Sequence, residues 1–208
     1  MWRMSGRQAV QLFSGLLACG IGIGLMVRAA IGVAPWDVLA QGLSRVTGLE
    51  FGLTTFLVSA AIFVFWIPLR ERPGLGTIMN AIVIPLAAQG ALWIVPVSVP
   101  LWAGVVLFVA GMLLFAVGSG LYIGAGLGPG PRDGLMTGLH SRLRWPIWAA
   151  RGSVELTVTG IGWLLGGNVG VGTLAFAFGI GPLVHLALHL FAARRRTAPV
   201  PAVVAVPE

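Results

Sequence analysis

The chain has 208 residues, 57% of them hydrophobic and only 9% charged, with a mean hydropathy of +0.95. A soluble domain carries about 25% charged residues, so this composition excludes one and points to helices in a lipid bilayer. The formal charge of +7 would suggest nucleic acid in a soluble protein; here the basic residues flank apolar runs, so orientation in the membrane explains them better and no nucleic-acid partner is expected. All thirteen are Arg. The 31 glycines, without collagen periodicity, fit close helix packing in a membrane. The single cysteine, Cys19, excludes an intramolecular disulfide and a Cys-based zinc site.

About 20 apolar residues cross the hydrocarbon, and by that measure six spans are predicted, at about 9–31, 51–69, 76–95, 101–124, 147–166 and 171–191. Arg3 and Arg7 precede the first, and Leu16-Leu17-Ala18-Cys19 resembles a lipoprotein cleavage box, so a signal peptide is its rival. The apolar run continues past Cys19 to about Gly32, which favours the span. After the first span, Gly32-Val33-Ala34-Pro35 breaks the helix, because Gly is permissive and Pro cannot donate. Pro35 then suits the first position of a new helix and Asp37 its first turn. That helix runs to about Arg45, roughly 16 Å at the α-helical rise, half a bilayer, so it is re-entrant or interfacial. The Arg70–Gly74 turn follows the second span and Pro96–Pro100 the third. After the fourth comes a second broken segment, and Gly166-Gly167-Asn168 separates the fifth span from the sixth. Arg194–Arg196 stops transfer, and the Pro/Ala/Val-rich tail, residues 192–208, is expected to be a disordered cytoplasmic tail.

The two broken segments are copies. GLMVRAAIGVAPWDVLAQGL, Gly24 to Leu43, recurs as GLYIGAGLGPGPRDGLMTGL, Gly120 to Leu139, each matched pair 96 residues apart without a gap. Gly74, Gly76, Thr77 and Ala81 likewise match Gly170, Gly172, Thr173 and Ala177. With the N-terminus in the cytoplasm, Arg3, Arg7, Arg70, Arg72, Arg132, Arg142, Arg144, Arg151 and Arg194–Arg196 fall inside and only Arg28 and Arg45 outside. Each copy holds three spans, an odd number, so the second enters the membrane from the opposite side. The expected fold is therefore all-α: a polytopic bundle of six transmembrane helices as two inverted three-helix repeats (about 9–96 and 101–191), each with a Pro-x-Asp half-helix, forming one membrane domain over 1–191. Inverted repeats with broken helices build many secondary transporters.

The segments IGVAPWDVLAQGLS and GLGPGPRDGLMTGL, with their two Pro-x-Asp motifs and spacing, resemble the YczE/YyaS/YitT-type family of bacterial integral membrane proteins. The resemblance covers about residues 10 to 190. It implies a multi-pass protein of the bacterial cytoplasmic membrane and brings no catalytic residue with it.

Asp37 and Asp133 lead the candidate site residues. Each could simply cap its half-helix, or the two ends could converge and bind an ion or polar solute; inversion is expected to put the two acids at opposite ends of one pathway. Arg132 stands where the first copy has Trp36, and Arg28 where the second has Gly124, so a solute site would be asymmetric. Arg132 has two prospects, pairing with Asp133 or attracting anions. Glu155 lies roughly 13 Å into the fifth span by helix rise, four residues after Arg151 on the same face; a buried ion pair and a wet cavity both account for it. His185 and His189 share a face of the sixth span without an obvious third ligand, so no metal site is expected, and His185 aligns with Gln89. Gly20/Gly24, Gly120/Gly124/Gly128 and Gly162/Gly166 read as helix-contact faces. No nucleotide-binding, nucleophile or Ser/His/Asp pattern stands out, so neither an enzyme nor a cofactor is expected. The leading function is transport of a small solute or ion, with the lipid bilayer as environment; the alternative is a non-transporting accessory or scaffold protein, and a homo-oligomer or membrane partner stays open.

Overall fold

A computed structural model describes residues 4–192. Arg3, Arg194–Arg196 and the tail from 193 onward lie outside the described residues, whereas Ala192, expected in the tail, ends the last helix. Eight helices make up the described chain: α1 Gly6–Ala29, α2 Pro35–Thr47, α3 Phe51–Leu69, α4 Leu75–Ile94, α5 Leu101–Gly124, α6 Pro131–Leu143, α7 Ile147–Leu164 and α8 Val171–Ala192. Five of them, α1, α3, α4, α5 and α8, are long and apolar enough to cross a membrane, and the protein is a polytopic helical membrane protein. The expected fifth span, α7, has 18 residues, but Arg151, Glu155 and its Gly, Ser and Thr residues leave it less apolar than the others. Large apolar side chains such as Val64, Phe65, Leu86, Val106 and Phe178 stand exposed around the bundle, and Trp93, Trp102, Trp145, Trp148 and Trp163 are exposed near helix ends, the positions of a lipid-facing surface with aromatic belts.

The helix starts follow the 96-residue register: Pro35 and Pro131, Phe51 and Ile147, and Leu75 and Val171 each differ by 96. So do the left-handed residues, Ala30 with Gly126, Gly32 with Gly128, Gly48 with Arg144, and Arg70 with Gly166. The breaks have one local cause. Left-handed residues end α1 and interrupt the chain after α5, and Pro then starts the next helix at its first position, where the missing N–H costs nothing.

Packing repeats the register crosswise. The Gly76 amide donates to the Leu127 carbonyl at 2.8 Å, and the Gly172 amide to the Ile31 carbonyl at 2.9 Å. A Cβ on Gly32 would lie 2.8 Å from the Gly170 nitrogen, and one on Gly128 3.0 Å from Gly74 Cα. Where α1 crosses α5, a Cβ on Gly15 would sit 2.7 Å from the Gly118 carbonyl, and one on Gly22 2.5 Å from the Gly111 carbonyl. Gly24 meets Ala91 of α4 as Gly120 meets Ala187 of α8. Small residues thus let backbones touch, the packing that substitutes for a hydrophobic drive between membrane helices. α1, with Leu12, Leu16, Cys19, Ile23 and Met26 almost wholly buried, is the spine between α4 and α5. α2 packs on α7 and α6 on α3, and Trp36, Val58, Ile62, Trp66 and Val158 form a second apolar cluster there.

Candidate functional site

Both half-helices begin inside the protein, and their first turns meet. The Arg132 guanidinium at the second position of α6 donates to Asp37 Oδ1 of α2 at 3.3 Å. It also lies over the Trp36 ring, 5.5 Å from its centroid. Trp36 and Arg132 are each other's counterparts in the register, so the two copies touch at equivalent positions. Asp37 is 1% exposed, and a carboxylate so desolvated requires this partner. Arg132 therefore pairs across the halves with Asp37 and not with its neighbour Asp133.

Asp133 is differently placed. It is exposed, and its Oδ2 accepts from the Tyr122 hydroxyl at 3.2 Å. Among the described residues no cation forms an ion pair with it. A point built as Cβ on Gly130 would be 3.0 Å from Asp133 Oδ2, 3.2 Å from Tyr122 Oη and 3.4 Å from Asn80 Nδ2. Gly130 thus leaves open a small polar pocket where α4, α5 and α6 converge.

Asp37, Asp133, Arg132, Arg151, Glu155 and His185 all line one cavity of about 410 Å³. This corrects the expectation of acids at opposite ends of a pathway: the half-helix starts converge, so both acids face a single space. The wall is built from register pairs. Thr55 and Ser59 of α3 occupy the places of Arg151 and Glu155 of α7, and Asn80 and Ile84 those of Phe176 and Ile180. The sequence reading missed Thr55, Ser59, Asn80 and Tyr122; the first two were findable by subtracting 96 from the charged pair.

Arg151 Nε donates to Glu155 Oε1 at 2.9 Å, with side chains 53% and 22% exposed, respectively. The pair and the cavity coexist, and it is far less buried than its depth along the helix implied. His185 reaches the cavity, and its ring stands edge-on to His189 with centroids 4.4 Å apart. Arg28 does not line the cavity; its guanidinium donates to the Leu92 carbonyl, tying α1 to the end of α4. It stands apart from the wall that the other candidates form, one guanidinium nitrogen held by the Leu92 carbonyl and its Nε buried without a hydrogen-bond partner among the described residues. Cys19 sits mid-helix in α1, its Sγ 3.6 Å from both the Phe115 carbonyl and Ser119 Oγ. The Trp36 indole N–H is buried without an acceptor.

The cavity has one asymmetry of shape. α3 packs on α4, and the Gly52 amide donates to Gln89 Oε1 across that seam at 2.8 Å. Their counterparts α7 and α8 make no comparable contact, and the cavity reaches between them.

Comparison with known proteins gives similar chains of the same length class. An uncharacterized protein of Haemophilus influenzae is 39% identical over 192 residues, 92% of this chain and 88% of that one. The uncharacterized membrane protein YczE of Bacillus subtilis is 31% identical over 198 residues, covering 91% and 92%. The uncharacterized protein YyaS of the same species is 25% identical over 176 residues, covering 83% and 88%. No solved structure matches the chain. Residues 6–189 match the family of unknown function DUF6198, and the chain belongs to that family, with YczE and YyaS as homologues.

Proposed function

We propose that the protein is a small-solute or ion transporter rather than an enzyme, with its site in the cavity at the half-helix starts. The observation that carries this reading is a cavity of about 410 Å³ inside a membrane bundle that contains three carboxylates and two guanidiniums. Ionisable groups at such depth are costly and mark pathways by default. A protein that only scaffolds a partner gains nothing from keeping them in open space.

The fold reading that accompanies it has α7 as a sixth span and the halves as inverted repeats. The crosswise contacts support it: if residue i touches j + 96, then j touches i + 96, which is the pattern of a two-fold axis. The N-terminus is taken as cytoplasmic from the Arg distribution. The gap between α7 and α8 is then the mouth of the cavity on the cytoplasmic side, and the α3–α4 seam closes the outer side. Solute passage requires that seam to part and the α7–α8 gap to narrow.

Thiol accessibility tests this. On a Cys19→Ala background, Asp133→Cys is treated with a membrane-impermeant maleimide in spheroplasts and in inverted vesicles. Transport predicts fast labelling from the cytoplasmic face and a slower, measurable rate from outside. Labelling from the cytoplasmic face alone, under every solute tried, favours the accessory reading. Labelling from neither face means a sealed cavity and overturns the transporter.

A further inference from the structure

The cavity's charge and lining narrow the class of ligand, an inference that rests on the transporter reading. The wall carries Asp37, Asp133 and Glu155 against Arg132 and Arg151, with His185 beside them. Four of these five are already paired, Arg132 with Asp37 and Arg151 with Glu155. Asp133 is left over, exposed to the cavity, with only a neutral hydroxyl on it. An anion entering here meets an uncompensated carboxylate, and the Trp36 indole face, a surface that attracts cations, is occupied by Arg132. The remaining negative charge is therefore at Asp133.

A hard metal cation wants about six oxygen ligands. Around Asp133 the described side chains offer two oxygen-bearing groups, its own carboxylate and the Tyr122 hydroxyl, with the Asn80 Nδ2 donor beside them, and among the described residues no three His, Cys, Asp or Glu converge as a metal site. An ammonium or guanidinium, by contrast, needs few acceptors and tolerates an apolar body. The rest of the cavity supplies the surroundings for that body: Phe115, Phe176, Ile84, Ile180, Met136 and Val184. Phe115 and Phe176 meet edge to face, with centroids 5.6 Å apart. A volume of about 410 Å³ lies in the range of small-molecule sites and exceeds what a bare ion needs.

We infer that the cavity takes an amphipathic organic monocation, its positive group on Asp133 and Tyr122 and its apolar body against Phe115, Phe176 and Ile180. The test uses the purified full-length protein in lipid nanodiscs. Thermal unfolding is followed against benzylammonium, its neutral analogue benzyl alcohol and the anion benzoate, at constant ionic strength. The expected result is saturable stabilisation by benzylammonium alone. Asp133→Asn should weaken it by about tenfold or more, the loss of a charge-assisted contact, and Asp133→Glu should retain it. Should Asp133→Asn not give a monodisperse protein, Tyr122→Phe reads the same pocket and should weaken benzylammonium by a smaller factor. Equal stabilisation by benzyl alcohol, preference for benzoate, binding indifferent to all pocket variants, or no binding by any probe each overturns the proposal. Benzylammonium binding without uptake into proteoliposomes keeps the cation site and sinks transport. Uptake of another solute class without benzylammonium binding does the reverse.

Discussion

The α3–α4 wall and the α7–α8 wall are two versions of one design, and one is shut while the other is open. On the first, Gly52 lets the helices meet: a Cβ there would be 2.6 Å from Gln89 Cβ and 2.8 Å from the Pro85 carbonyl. Gln89 then accepts the free amide at the start of α3. Thr55 and Ser59 turn their hydroxyls back onto carbonyls of their own helix, at 2.8 and 3.0 Å, and ask nothing of the cavity. On the second wall the equivalents are Trp148, His185, Arg151 and Glu155. An indole cannot fit where a methyl group would collide, and Trp148 stands 76% exposed. Arg151 and Glu155 are bulky and charged, and they hold space that water can enter. The opening is thus written into four substitutions on one shared scaffold, and closing α7 onto α8 requires Trp148 to move aside.

The acids give the largest contrast. Asp37→Asn leaves the Arg132 guanidinium without its counter-charge beside a buried site, and should cost about 3–5 kcal/mol. Asp133→Asn removes a carboxylate that faces open space, and should change stability by no more than about 0.5 kcal/mol. Denaturation in mixed detergent micelles measures both. Equal losses would mean that the two acids are equivalent caps and that the asymmetry of the site is illusory.

The wall itself is tested by one position in two settings. Gly52→Ala forces a methyl into backbone and Gln89, an overpacking expected to cost about 1–3 kcal/mol. Trp148→Ala, at the matching place, should stay within about 0.5 kcal/mol. A tolerant Gly52 would show that the α3–α4 seam is loose and its closure unimportant. Next in size, Gln89→Ala strands the Gly52 amide and should cost about 1 kcal/mol, whereas His185→Ala, which makes no equivalent bond, should be nearly silent in the same unfolding assay.

Much of this was readable beforehand, and the reasons are local. Apolar runs bounded by Gly and Pro give helix ends within a few residues, and the Pro-x-Asp starts fall where Pro35 and Pro131 put them because the rule involves only neighbouring residues. The register gave more than the helices, since Trp36 and Arg132, replacing one another in the alignment, turn out to be in contact. What stayed hidden were pairings across the bundle. Arg132 and Asp37 are 95 residues apart, and nothing in either segment says that α6 begins beside the start of α2 instead of at the far side of the membrane. Arg28 was hidden in the same way: its place opposite Gly124 suggested an asymmetric site, and only the folded chain ties its guanidinium to the Leu92 carbonyl of α4, away from the cavity wall. At Glu155 the pair and the cavity were both readable, but not its exposure, because helix rise measures distance along an axis and not access to open space.

Glu155 and Arg151 yield the smallest effect and the finest comparison with Asp37 and Arg132. Both pairs join Arg to a carboxylate at hydrogen-bond distance, 2.9 and 3.3 Å. They differ in exposure, since Arg151 is 53% exposed and Asp37 1%. Screening and side-chain entropy remove most of the worth of an exposed pair four residues apart on a helix, leaving about 0.3–0.5 kcal/mol. Glu155→Gln and Arg151→Gln should therefore each cost little, and the double variant should fall close to additive, with a coupling at that level. Asp37 and Arg132 in the same cycle should couple by several-fold more, because loss of Arg132, itself 23% exposed, strands the fully desolvated Asp37. A large coupling at Glu155–Arg151 would mean that the α7–α8 gap is closed and dry under the conditions of the assay. Taken together with solute, such a rise in coupling would itself report the narrowing of that gap, since the pair strengthens as water leaves it.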